Sequence, residues 1–102
     1  MLLPAIFTLD VGGKPTLSFE AKNLREAWEI CHEVWLKEDL ASICSNGVPL
    51  WDGKASLRSR SAVEAEIAIY RRAAQQEQTT GDLVLAYLVE LDVDTIGNSA
   101  VT

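Results

Sequence analysis

Residues 15–21 alternate without a break: Leu17, Phe19 and Ala21 fall on one side of an extended chain, and Thr16, Ser18 and Glu20 on the other. Strict alternation is the mark of a strand with two chemically different faces. Residues 5–10 are also extended and apolar, and Gly12-Gly13 separates the two runs. Glycine supplies the positive φ that a tight hairpin needs, so the chain is expected to open with a β-hairpin whose second strand has one wet face.

The period then changes. Counting 3.6 residues per turn, Leu24, Ala27, Trp28, Cys31, Val34 and Trp35 fall on one side of a helix over 23–37. Arg25, Glu26, Glu29, Glu33 and Lys37 fall opposite. Asn23 and Glu26 have capping-box spacing. Two tryptophans seven residues apart on one line mean a core seam or a landing site for a partner; burial against the sheet is the expected role.

Residues 42–56 resist a regular reading. Asn46-Gly47 and Asp52-Gly53 are turn signals. Between them Val48-Pro49-Leu50-Trp51 suits a short edge strand, since proline cannot serve a central one. Ser61 and Glu64 again have capping-box spacing, and a second helix is expected to about residue 76, with Val63, Ile67, Tyr70 and Ala74 as its stripe. Residues 83–93 form the most apolar strand: Leu83, Leu85, Tyr87, Val89, Leu91 and Val93 on one face, Val84, Ala86 and Leu88 on the other. A strand apolar on both faces belongs inside a sheet, here beside the first strand. The other sheet face then needs cover, from the 42–56 segment or from a second copy.

The elements read β-β-α-(β)-α-β. This is an α+β fold: a two-layer sandwich of a mainly antiparallel three- to four-stranded sheet and two helices. One globular domain over 1–94 and a flexible tail over 95–102 are expected.

Composition narrows the function. The 102 residues are 48% hydrophobic and 24% charged, with a net charge of −6 and a pI near 4.6. That balance opposes broad binding to nucleic acid or an anionic membrane, both polyanions. No run of about 18 apolar residues exists to span a bilayer, and the short apolar start lacks a basic leader and reads as a strand. Cys31 and Cys44 are too few for a disulfide-stapled secreted domain and are expected as free thiols in the cytoplasm.

Candidate chemistry is sparse. His32 is the only histidine; Cys31 points about 100° away from it, and a Cys44–His32 dyad requires residues 42–45 to fold back along the helix. Glu90, Asp92 and Asp94 alternate along the last strand, spaced about 6.5–7 Å apart. They suit a hard cation or an acid/base pair, or simply a strand emerging into water. Val11-Gly12-Gly13-Lys14 lacks the phosphate-loop spacing, and no metal-ligand motif occurs. No cofactor is expected.

Charge is uneven: residues 1–53 carry −4, residues 54–80 carry +2 and residues 81–102 carry −4. The basic group is Lys54, Arg58, Arg60, Arg71 and Arg72, a possible grip on phosphates but without aromatic residues for base stacking. It also complements the acidic stripe of Glu26, Glu29 and Glu33, which favours self-association. Trp51, in a turn-rich segment, either plugs the core edge or faces a partner. The reading is a non-enzymatic interaction or regulatory module that binds a protein partner or homo-oligomerises. Its expected contact surface is Trp51 with Val48 and Leu50, plus His32. Nucleic-acid binding through the basic group is the first alternative. A ligand-binding protein or enzyme built on His32, Cys44 or the Glu90–Asp94 carboxylates is the second.

Overall fold

The computed structural model describes residues 5–76 and 84–92. The expected hairpin is present: β1 (Ala5–Val11) pairs antiparallel with β2 (Lys14–Ala21). Gly12 and Gly13 both have positive φ, +60° and +85°, the two-residue turn whose twist matches that of the strands it joins. Leu9 faces Leu17 but Asp10 faces Pro15, so Thr16 is an extra residue in a bulge.

The α+β class and the antiparallel sheet are as expected. Four strands run in the order β5-β1-β2-β6. On one face Phe7, Leu9, Val11, Leu17, Phe19 and Ala21 meet Ala27 and Cys31 of α1 (Leu24–Cys31) and Leu36 and Leu40 of α2 (Val34–Ser42). Phe7 opposes Phe19 directly across the strands. A fully buried side chain such as Phe19 contributes about 1.5–3 kcal/mol.

The other face is covered by α3 (Glu64–Gln76), which presents Glu66 and Tyr70 inward. The structure corrects the expectation of a wet face on β2 in part: Ser18 is buried beside Thr8 of β1, Thr16 is buried with its hydroxyl donating to the Lys14 carbonyl, and Glu20 stays exposed. Thr8 and Ser18 bond each other at 2.8 Å, and the Thr8 hydroxyl donates to Glu66 Oε1. Small hydroxyls satisfied by one another lie under a helix as readily as methyls. To the sandwich of sheet and α1–α2, α3 thus adds a further layer.

Three other expectations change. The single helix over 23–37 is two helices. Asn23 caps the first, accepting from the Glu26 N–H while Glu26 Oε1 accepts from the Lys22 N–H. The helix then closes at His32, and Glu33 is extended at φ −70°, ψ 141° before the chain turns into α2. The 42–56 segment forms its own ribbon, β3 (Cys44–Ser45) with β4 (Val48–Pro49), outside the main sheet. The edge beside β1 is instead β5 (Leu57–Ser61), not foreseen because its Leu-Arg-Ser-Arg-Ser pattern holds one apolar residue. Finally, β6 is only Ala86–Tyr87, at the edge beside β2, not a long strand next to β1. Leu83, Val93 and the 95–102 tail lie outside the described residues.

Arg60 of β5 clamps α3 to the sheet. Its Nε donates to Asp10 Oδ2 and its two terminal nitrogens to Glu66 Oε1 and Oε2, each at 2.9 Å. Glu66 also accepts from the Val63 N–H just before the helix, which is half of a capping box shifted from the expected Ser61 and Glu64. Hydrogen bonding from Arg60 holds the Glu66 carboxyl down at about 2.

Because this carboxyl is depressed in the folded chain, its contribution is complete above the ordinary carboxylate range and disappears as pH falls from about 4.5 towards 2. Glu66→Gln should therefore unfold more easily at neutral pH by about 2–3 kcal/mol, between the values of exposed and buried pairs. It should also lose less further stability on acidification than the parent. Denaturant midpoints measured from pH 7 to pH 2 test both.

Candidate interaction surface

The helix break decides which side chains meet water. Within α1 the buried positions are Ala27 and Cys31, small residues that let the helix lie close to the sheet. In α2 they are Leu36 and Leu40, which on an unbroken helix would point roughly opposite to Cys31. Restarting the helix at Val34 lets both pairs face the sheet. Of the stripe expected to be buried, Ala27 and Cys31 do face the sheet, whereas Leu24 is 54% exposed, Trp28 55%, Val34 67% and Trp35 43%. This corrects the assignment of both tryptophans to the core seam.

His32 belongs to this surface. Its ring stacks on Trp28 with centroids 4.2 Å apart and an interplanar angle of 28°. Its Nδ1 lies 2.8 Å from the Trp28 carbonyl. A carbonyl only accepts, so Nδ1 carries the proton of this bond, and Nε2 takes no part in it. Leu24, Trp28 and His32 succeed one another at four-residue spacing and form a single line along α1. The same two helices and their junction carry the exposed acids Glu29, Glu33, Glu38 and Asp39, against the exposed Arg25 and, just before α1, Lys22.

The other expected contact residues are divided. Trp51 is half-buried and packs on the core with Leu50 and Ala55. Its indole N–H donates to the Ala55 carbonyl at 2.8 Å and its backbone N–H to the Leu40 carbonyl. Lys37 lies over its ring at 6.0 Å. Asp52 accepts from the Lys54 and Ala55 N–H groups, which lowers its carboxyl below the usual range. The loop is thus a self-bonded plug at the core edge. Val48 is exposed at the start of β4.

The groups with possible chemistry do not converge. Cys31 is fully buried, and burial pushes its thiol up to about 12 against the opposing Ser59 hydroxyl; a thiol in that state is a poor nucleophile. The Cys44 thiol points at the Ser42 carbonyl, while His32 is engaged with Trp28. Asp92 holds the β3–β4 turn, accepting from the Asn46 and Gly47 N–H groups at 2.7 and 2.6 Å. Glu90 takes part through its carbonyl, which accepts from Ser45. Asp94 lies outside the described residues. Among the described residues no three His, Cys, Asp or Glu side chains are grouped to hold a metal ion.

Among the described residues a cleft of about 410 Å³ lies between α3 and the sheet, lined by Ile6, Glu20, Ser61, Tyr70 and Arg71 among others. Another, of about 190 Å³, lies beside β4 and includes Val48, Pro49 and Leu50. Neither contains His32, Cys44, Glu90 or Asp92. In the basic group Arg60 is taken up by Asp10 and Glu66, leaving Lys54, Arg58, Arg71 and Arg72 exposed. No described helix is long and apolar enough to cross a membrane.

Comparison with family models, curated proteins and solved structures gives no match to this chain.

The two kinds of tryptophan should separate on mutation. Trp51→Ala should cost about 2–4 kcal/mol, below the range for a fully buried indole. Trp28→Ala, largely solvated already, should cost under about 1 kcal/mol. Chemical denaturation of the two variants beside the parent checks the difference.

Proposed function

We propose that this chain is a non-enzymatic protein-interaction module that self-associates through the outer surface of α1 and α2. The observation that carries the reading is the exposure of Trp28 and Trp35 with Leu24 and Val34 on consecutive helices. Tryptophan is the residue that interfaces concentrate at their centres, because it buries much area for little lost freedom. His32 extends the surface and offers Nε2 as its polar handle, as the Trp28 stack leaves that nitrogen free of the helix. Val48 and the exposed part of Trp51 lie outside this centre in the proposal.

A binding role also agrees with the dispersal of the reactive groups, since catalysis needs them in mutual reach. The nucleic-acid reading has weaker support: Arg60, the best-placed cation of the basic group, is already neutralised by two carboxylates, and four remaining charges bind a polyanion feebly at cell salt. The proposed setting is cytoplasmic, in keeping with two unbridged cysteines.

Sedimentation equilibrium of the purified chain should give a mass that rises with concentration. Trp28→Ala with Trp35→Ala should weaken that association at least ~tenfold, as loss of central aromatic anchors does. A parent that stays monomeric at every concentration reached would defeat the reading.

A further inference from the structure

Resting on the self-association just proposed, we infer that the α1–α2 surface of one copy receives the outer face of α3 from a second copy, so that copies join head to tail. Strand alternation puts Phe7 and Leu9, which meet α1 and α2, on the opposite side of the sheet from Thr8, which bonds Glu66 of α3. The two helical layers therefore face away from each other.

Their outer faces are complementary. The α1–α2 layer exposes aromatic and apolar side chains together with the acids Glu29, Glu33, Glu38 and Asp39, which outnumber the exposed Arg25 and the half-buried Lys37. On α3, Glu66 and Tyr70 point inward. The helical period then places Glu64, Ala65, Ala68, Ile69 and Arg72 outward. All five are exposed, as is Arg71, and Ile69 is 44% exposed. A shallow apolar strip of two alanines and an isoleucine can lie against flat indole rings, while Arg71 and Arg72, two cations against the one acid Glu64, meet the acids of α1 and α2.

Like-on-like pairing is disfavoured by the same charges. Two α1–α2 surfaces brought together about a two-fold axis gather Glu29, Glu33, Glu38 and Asp39 of both copies into one interface, and an excess of like charge at an interface is costly. Joining unlike faces removes the repulsion and leaves one face of each kind open at the ends. Such a heterologous contact grows into a ring or a chain instead of stopping at two.

The test uses two variants of the full chain. One is Trp28→Ala/Trp35→Ala, which removes the acceptor face; the other is Ile69→Asp/Arg72→Glu, which removes the donor face. All four positions are exposed, and circular dichroism with melting checks that both fold. Should the second variant fail to fold, Arg71→Gln/Arg72→Gln replaces it. Expected in sedimentation are a parent mass that passes beyond a dimer, two variants that are each monomeric, and an equimolar mixture that forms a one-to-one complex and grows no further. The mixture is diagnostic because each variant keeps the face the other lacks.

A parent that stops at a dimer overturns the inference. So does a donor-face variant that associates as the parent does, or a mixture that remains monomeric; those results leave self-association standing in another geometry. A parent that is monomeric throughout overturns this inference and the interaction reading together.

Discussion

The β1–β2 hairpin decides which residues every other element can touch. Its turn requires positive φ at Gly12 and Gly13, and its register places Phe7 against Phe19 and Leu9 against Leu17. A slip of β2 by one residue would send Leu17 and Phe19 to the side where α3 lies, and bring Ser18 under α1. The bulge at Thr16 completes the arrangement by bending β2 where Pro15 leaves the turn. Gly12 also ties the hairpin to the approach of β5, donating its N–H to the Ser56 carbonyl.

Given that register, the two faces of the sheet are held by different physics. The α1–α2 face is joined by apolar burial, which is non-directional and tolerates the break between the helices. The α3 face is joined by directed bonds: Thr8, Ser18, Glu66, Arg60 and Asp10 form one connected set. Directed bonds fix the azimuth of α3 about its axis, which apolar contact alone leaves loose. That azimuth is what turns Ile69 and Arg72 outward. One acceptor, Asp10 Oδ1, is buried without a partner, a cost the set bears for holding Arg60 at that place.

These two regimes explain what could be read in the chain. Alternation and Gly-Gly gave the hairpin, and Asn23 with Glu26 gave the start of α1, because each is a local preference expressed in place. The break at His32 and Glu33 was obscured, since neither glycine nor proline marks it. The available signal was the Leu36–Leu40 pair, out of phase with Ala27 and Cys31 on a continuous helix. β5 was obscured for the opposite reason: Arg58 and Arg60 looked like a solvated basic run, and only tertiary partners on β1 and α3 make Arg60 structural. Residues 84–92 were read as a central strand from their hydrophobicity. In the fold they are half-buried and reach only two residues of ladder, because Asp92 and Glu90 are drawn to the β3–β4 turn. The exposed aromatic residues were legible as types, two tryptophans and a histidine in one stretch, but the outward turn of Val34 and Trp35 depends on a break that the type pattern conceals.

The exposure of Trp28 and Trp35 follows from what lies beneath them. With Ala27 and Cys31 as its contact residues, α1 sits close to β1, β2 and β5, and the gap left is too thin for an indole. Seating Trp28 there would lift the helix and open voids around Phe7 and Leu9, each costly in proportion to its volume. In α2, Leu36 and Leu40 fill the remaining depth, and Trp51 seals the margin from the neighbouring loop. The core is therefore complete without Trp28 and Trp35, and solvating them costs the monomer transfer free energy that no internal contact recovers. The apolar content of this surface exceeds what its own fold can use, and that excess is the physical ground of the proposed association.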